Sequence, residues 1–184
     1  MASNNQKVTV SVEQYNPEYS YDFTQFDCGV PHLNEFLTKK MIKECEAMVS
    51  RPYLLCFKSD DSKYVVKGYY TLGSHSLEKV ELRGNTKRNC PYKSAPAIII
   101  GKLAVCESVQ GQGVGKRLLG HAIKTSHAAS KAVGVYALVL HARKEAESFY
   151  EKAGWIRGNY DDSLFIYPLK QYENEMKKLY LSRL

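Results

Sequence analysis

The residues best placed to do chemistry are the glycines of Gln110-Gly111-Gln112-Gly113-Val114-Gly115 and the two cations behind them, Lys116 and Arg117. Alternating glycines let a charged ligand come close to backbone N–H groups. A helix that starts at once adds the positive end of its dipole, so the natural ligand is a phosphate. Spacing narrows the choice. A Walker loop needs Gly-x-x-x-x-Gly-Lys-Ser/Thr, but Gln110 stands where the first glycine belongs, and Arg117 has no hydroxyl for magnesium. The dinucleotide pattern Gly-x-Gly-x-x-Gly fails as well, because the glycines fall at 111, 113 and 115. What remains is Gln-x-x-Gly-x-Gly, with a turn that merely reverses the chain as the competing reading. A second segment, Arg83 to Lys93 (RGNTKRNCPYK), carries Arg83, Lys87, Arg88 and Lys93 and no acidic residue. With Tyr92 it suits a run of phosphates and a stacked base, against the plainer reading of solvated loop charge.

The elements that must hold the glycine loop are legible on either side of it. Ile98, Ile99, Ile100, Leu103, Ala104 and Val105 form an apolar run that reads as a buried strand, here placed over Ala97–Cys106. Val114, Leu118, Leu119, Ala122 and Ile123 recur at helical spacing. A strand, a glycine turn and a helix in that order favour a bound anion over a bare turn.

Upstream, Val8–Val12 alternates as a short strand and Tyr21–Val30 is rich in turn residues. Pro31 suits a first helical position, and Leu33, Phe36, Leu37, Met41, Cys45 and Met48 make one apolar stripe behind it. Arg51–Phe57 and Tyr64–Gly73 read as a strand pair joined by a polar turn over Lys58–Lys63, and Glu78–Lys93 reads as a loop. Downstream come a strand over Val135–His141, a short helix over Arg143–Ala153, a return through Gly154-Trp155-Ile156 and a strand over Ser163–Leu169. Tyr172, Met176, Leu179, Tyr180 and Leu184 give an amphipathic last helix. Its apolar face is expected to pack on the protein's own sheet, ahead of a contact with a second copy in a homodimer or with a partner protein. The sum is one α/β domain over residues 1–184 with a mixed sheet.

Composition sets limits. The 184 residues are 44% hydrophobic and 24% charged, as in an ordinary globular protein. No apolar run approaches the roughly 20 residues of a membrane span, and the N-terminus lacks a signal-peptide core, so a cytoplasmic protein is expected. Five cysteines without a Cys-x-x-Cys, and five scattered histidines, argue against a disulfide framework or a metal site. The net charge of +7 suits an acidic partner, coenzyme A or a nucleic acid.

Several separated segments resemble one known family. Gln110-Gly111-Gln112-Gly113-Val114-Gly115, preceded by Gly101-Lys102-Leu103-Ala104-Val105, is similar to the acetyl-coenzyme A core of the GNAT acetyltransferases. Phe26-Asp27-Cys28-Gly29-Val30-Pro31, Gly68-Tyr69-Tyr70-Thr71-Leu72 and Ser148-Phe149-Tyr150-Glu151-Lys152-Ala153-Gly154-Trp155 resemble the branch formed by the toxins of type II toxin–antitoxin modules. The resemblance covers roughly residues 8–169. Residues 170–184 are a helical extension past it, and Arg157–Asp162 lacks the prolines usual at that place.

The resemblance implies an α/β GNAT fold, a mixed, mostly antiparallel central sheet flanked by helices, with splayed fourth and fifth strands. Acetyl-coenzyme A would be held by the backbone of Leu103 and Val105 at its pantetheine arm. Gln110 to Gly115 would hold its pyrophosphate, with charge from Lys116. It also implies an aminoacyl-tRNA acceptor, a ribbon-helix-helix antitoxin, a block of translation and no metal. Tyr150 would protonate the departing thiolate, since a phenol of pKa about 10 is an acid at neutral pH. An α-amine of pKa about 7.7 needs less help from a base than a lysine of about 10.4. The central strand has no carboxylate, which favours the α-amine and leaves His141, His75 or water as bases. Acetylation of a small amine or a protein, and a non-catalytic acyl-coenzyme A-binding regulator, are the alternative functions.

Overall fold

The computed structural model describes residues 10–58 and 63–182. Val8, the turn residues 59–62 and Leu184, all named above, lie outside that range. The strands are β1 (Val10–Gln14), β2 (Tyr21–Asp22), β3 (Arg51–Lys58), β4 (Tyr64–Glu78), β5 (Ser94–Val105), β6 (Ala137–His141), β7 (Ile156–Arg157) and β8 (Leu164–Pro168). They lie in the order β1-β3-β4-β5-β6-β8-β7, with β2 beside β4. The helices are α1 (Pro31–Glu35), α2 (Met41–Glu46), α3 (Gly84–Arg88), α4 (Val114–Ala129), α5 (Glu147–Lys152) and α6 (Leu169–Leu181). Contacts group the chain into two compact units, Met1–Thr71 with Lys102–Leu118 and Leu72–Gly101 with Leu119–Leu184.

In the first unit β1 pairs antiparallel with β3, and β2 pairs parallel with β4. Pro31 opens α1 as its spacing predicts, since its missing N–H costs nothing there. Between α1 and α2 the chain widens into one π turn, Phe36–Lys40. The Thr38 hydroxyl donates back to the Asn34 carbonyl at 3.1 Å, a bond that loosens the regular ladder. Phe36, Leu37 and Met41 are buried, and the Tyr69 hydroxyl donates to the Leu33 carbonyl at 2.8 Å. The apolar stripe stops sooner than its period suggests. Met48 takes a φ of 61°, which a helix cannot accommodate, and is 73% exposed.

In the second unit β5 and β6 are parallel and β6, β8 and β7 antiparallel. One face of β6 and β8 buries Ala137, Val139, Leu164 and Ile166 against Leu77, Leu82 and Cys90. The other carries Phe165 and Tyr167 against Tyr150 and Trp155 of the α5 region. The β5–β6 register runs from Ala97–Ala137 to Ile99–Val139 and then stops, whereas β6 goes on pairing with β8 to His141–Leu164. Beyond that point β5 and β6 part, as the resemblance leads one to expect of the strands on either side of the cofactor.

Three sequence expectations change here. Strand β4 continues to Glu78, five residues past Gly73. Its last stretch alternates exposed Ser74, Ser76 and Glu78 with half-buried His75 and buried Leu77, too few apolar residues to register as a strand. The supposed loop Glu78–Lys93 holds a 3-10 turn, Lys79–Glu81, and helix α3. Its buried residues, Leu82 and Cys90, flank α3 instead of lying on it, so no helical period is visible. Helix α6 buries only Leu169, leaving Met176, Leu179 and Tyr180 exposed instead of packed on the sheet. Polar contacts fix its first turns: Glu173 meets Lys170 at 2.7 Å and His127 at 3.2 Å, and the Tyr167 hydroxyl donates to Glu175 at 2.8 Å. No helix among the described residues is long and apolar enough to cross a membrane.

Candidate active site

The glycine loop is built to receive an anion. Gly111 and Gly113 have φ of 75° and 81°, conformations that side-chain-bearing residues avoid, and open space lies where their Cβ atoms would be. Val114 then starts α4, whose first N–H groups have no partner within the helix. Lys116 is exposed beside them. These features fit a pyrophosphate: an open cradle, free amides and a cation.

The amides of two glutamines serve the loop's own scaffold. Gln110 Nε2 donates to the Val105 carbonyl at 2.9 Å and to the Cys28 carbonyl at 3.3 Å, and Gln112 Nε2 to the Ser108 carbonyl at 3.3 Å. The Gln110 side chain thus fastens the loop to the strand end, and that of Gln112 ties the loop to Ser108 within it. Leu103 and Val105 are half-buried around buried Ala104. Lys102 lies with Nζ 4.0 Å from the centre of the Phe36 ring, a cation–π contact that fixes the strand end on α1's continuation.

Another support escaped the sequence reading. The Glu107 N–H donates to the Asp27 carbonyl at 2.7 Å. The Asp27 carboxylate accepts from the Gly29 N–H at 2.9 Å and from Asn34 Nδ2 at 2.7 Å, bonds that hold it below the usual carboxylate range. A Cβ on Gly29 would stand 2.5 Å from Glu107 Oε1. The segment Asp27-Cys28-Gly29 is thus the floor under the phosphate loop, and the φ of 75° at Gly29 is what calls for glycine there, since the exposed Glu107 side chain can swing aside.

Tyr150, on α5, is 7% exposed and enclosed by Phe149, Phe165 and Trp155 with ring centroids 5.1, 5.7 and 6.0 Å away. Burial pushes its phenol up to about 12, so it stays protonated throughout the physiological range. The fully enclosed unpaired polar atoms among the described residues are Ser126 Oγ and Trp155 Nε1. A buried phenol that keeps its proton at neutral pH is suited to a general acid.

Arg157, on β7, fixes the helix that carries this tyrosine. It donates to Glu147 at 2.9 Å, to Glu151 at 2.7 Å and to the Asp162 carbonyl at 2.7 Å, and its guanidinium lies 5.0 Å over the Phe165 ring. Two carboxylates on successive turns of α5 are bridged by one planar cation. Local sequence gave no sign of this, because Arg157 lies in a segment read only for its missing prolines.

Of the basic segment, Arg83 is committed to the fold, its guanidinium donating to the Gly158 carbonyl at 2.8 Å. Arg88 reaches Asn85 within α3. Lys93 is exposed, Lys87 half-buried, and Tyr92 is 70% exposed, open to a stacked partner. Four of the five cysteines are buried and all are free.

Residues 60–157, more than half of the chain, match the Acetyltransferase (GNAT) domain family. This chain belongs to the GNAT acetyltransferases. It is 34% identical over 130 residues to the "tRNA-acetylating toxin" of Mycobacterium tuberculosis, covering 70% of this chain and 75% of that one. Among solved structures, this GNAT chain matches AtaT in complex with acetyl-methionyl-tRNAfMet with a TM-score of 0.85 and 32% identity. That match covers 91% of this chain and 99% of AtaT. A tyrosine-to-phenylalanine variant of KacT matches with a TM-score of 0.84 and 34% identity, over 90% and 98% of the two chains. The kinship places this acetyltransferase with the tRNA-acetylating toxins, and a tyrosine-to-phenylalanine variant of AtaT has been seen with acetyl-coenzyme A and with the C-terminus of the antitoxin AtaR.

Proposed function

We propose that this enzyme moves the acetyl group of acetyl-coenzyme A onto the α-amine of aminoacyl-tRNA and so blocks translation. The observation that carries the reading is the likeness, over nearly the whole chain, to a toxin solved with an acetylated aminoacyl-tRNA. The amides at Gly111 to Gly115 and the start of α4 hold the pyrophosphate, with Lys116 adding charge. The backbone of Leu103 and Val105 holds the pantetheine arm. Because the Val105 carbonyl already accepts from Gln110, the N–H is the group of that residue we assign to the cofactor.

The amine attacks the thioester carbonyl, the carbon–sulfur bond breaks, and Tyr150 gives its proton to the thiolate. Lys87, Arg88 and Lys93 meet tRNA phosphates, Tyr92 stacks on a base, and Arg83 serves that surface indirectly by holding the segment to Gly158. Residues 1–184 act as one GNAT domain with 170–184 as a helical extension. A ribbon-helix-helix antitoxin, a cytoplasmic setting and a homodimer complete the proposal.

The test is mass spectrometry of aminoacyl-adenosine released by nuclease from charged tRNA after incubation with the protein and acetyl-coenzyme A. One added acetyl group on the α-nitrogen is expected. Unmodified aminoacyl-adenosine, with acetylation appearing only on a small amine or a protein lysine, contradicts the reading.

A further inference from the structure

The aminoacyl-tRNA reading gives the attacking amine a low pKa but leaves open where its proton goes. Attack on the thioester makes the nitrogen cationic, and the amide cannot form until that proton departs. The structure offers a receiver for it. His141 is the last residue of β6, at the point where β5 has already parted from that strand. Its register partner is Leu164, and that of its neighbour Leu140 is Phe165, the ring under Tyr150. Because successive residues of a strand point to opposite faces, His141 stands on the face of the sheet opposite to Tyr150, at the end of β6. Direct transfer needs a donor for the leaving sulfur and an acceptor for the proton of the arriving amine.

Hydrogen bonds fix the imidazole's tautomer. His141 Nδ1 lies 3.3 Å from Asp161 Oδ2 and 3.2 Å from Ser163 Oγ. Asp161 Oδ1 accepts from the Ser163 N–H at 2.8 Å and from its hydroxyl at 2.7 Å. The serine has spent its one proton on Asp161 and faces His141 with a lone pair only. Those bonds also hold the Asp161 carboxyl below its usual range, so it is a carboxylate that can only accept. Both neighbours of Nδ1 are therefore acceptors, Nδ1 carries the proton, and Nε2 is left with its lone pair. The side chain is 47% exposed, so that nitrogen is reachable. From β4, His75 is the titratable group facing it; burial and then the charge of His141 lower the pKa of His75, which keeps it neutral.

We propose that His141, oriented by Asp161 and Ser163, is the general base of the transfer. Its Nε2 takes the proton of the attacking amine as the carbon–nitrogen bond forms. The thioester's carbon–sulfur bond then breaks and the sulfur takes the Tyr150 proton, giving the N-acetyl product and free coenzyme A. Solvent afterwards returns a proton to Tyr150 and removes one from His141, so the cycle balances. Asp161 and Ser163 are positioning residues.

The experiment measures labelled acetyl transfer to charged tRNA between about pH 5 and 9 for wild type, His141→Gln and Asp161→Asn. Melting temperature and acetyl-coenzyme A affinity are followed alongside. His141→Gln should lower kcat by roughly 10²–10⁴-fold at little changed cofactor affinity. The acid limb of log kcat/KM should fall from a slope of about two, for amine and imidazole, to about one. Asp161→Asn puts an N–H donor on the Nδ1 side, so kcat should drop while folding holds. The nitrogen-15 shifts of His141 should then show the tautomer reversed. An unchanged kcat and slope in His141→Gln overturns the proposal. If that variant melts early, a full rate in Asp161→Asn with a reversed tautomer overturns it instead. Failure of the wild type to acetylate charged tRNA at all is a different result, which removes the substrate reading itself.

Discussion

Arg157 donates to Glu151 across 2.7 Å, next in sequence to the tyrosine on which the transfer is proposed to depend. The same guanidinium reaches Glu147 one turn earlier, so α5, only six residues long, is held from outside its own hydrogen-bond ladder. A helix this short has little stability alone. Arg157→Gln should therefore lower the melting temperature and let Tyr150 drift, costing up to about 10²-fold in kcat with KM for acetyl-coenzyme A little changed. Arg157→Lys keeps the charge but not the fork and should recover only part of the rate. Unaltered kinetics in Arg157→Gln would mean that the apolar nest alone positions α5.

Tyr150→Phe removes one oxygen from a packed ring. Folding and acetyl-coenzyme A affinity should survive, and kcat should fall roughly 10²–10⁴-fold. Burial holds the phenol near 12, above its unfolded value of about 10, so the proton stays on until pH rises through the folded value. The wild-type rate should thus show no descending limb from this group below about pH 11. Stopped-flow release of coenzyme A thiol reads both effects; full turnover in the variant sinks the assignment.

Gly113→Asp acts on the cofactor. Its φ of 81° costs a side-chain-bearing residue roughly 1–2 kcal/mol, but no atom of the protein stands in the way of the new Cβ. The protein should fold, as read by circular dichroism, and lose acetyl-coenzyme A affinity by at least tenfold, about 1.4 kcal/mol, in calorimetry. Normal affinity would place the phosphates elsewhere.

Neutralising Lys87, Arg88 and Lys93 together should reduce the slope of log affinity against log salt for tRNA by up to about 2–3. Acetyl-coenzyme A affinity should not move. Arg83→Ala should behave differently, lowering stability through the lost Gly158 bond with a smaller effect on the salt slope. Parallel slopes for wild type and the triple variant would remove this segment from the tRNA surface.

The phosphate loop could be read from sequence because its requirements are local: glycines for positive φ, an apolar strand before and a helical period after. Its scaffold could not. Gln110 and Cys28, joined at 3.3 Å, lie 82 residues apart, and nothing near either position announces the other. Arg157 likewise gains its meaning from Glu147, Glu151 and Phe165, brought together by the return of the chain. Helix α3 was hidden because its five residues, Gly84 to Arg88, contain no apolar side chain. The His141 cluster was visible only as a strand-ending histidine until Asp161 and Ser163 were placed beside it. In α6 the pattern was read correctly as amphipathic, but amphipathicity says which face is apolar and not what covers it.

The most direct measurement of the account is transfer of labelled acetyl from acetyl-coenzyme A, run side by side on charged tRNA, the same tRNA after deacylation, and a panel of small amines and lysine peptides. Label should enter charged tRNA alone, should leave with the amino acid when the ester is hydrolysed, and should be lost in Tyr150→Phe. Equal labelling of deacylated tRNA, or transfer to small amines or lysine peptides with none to charged tRNA, would contradict it.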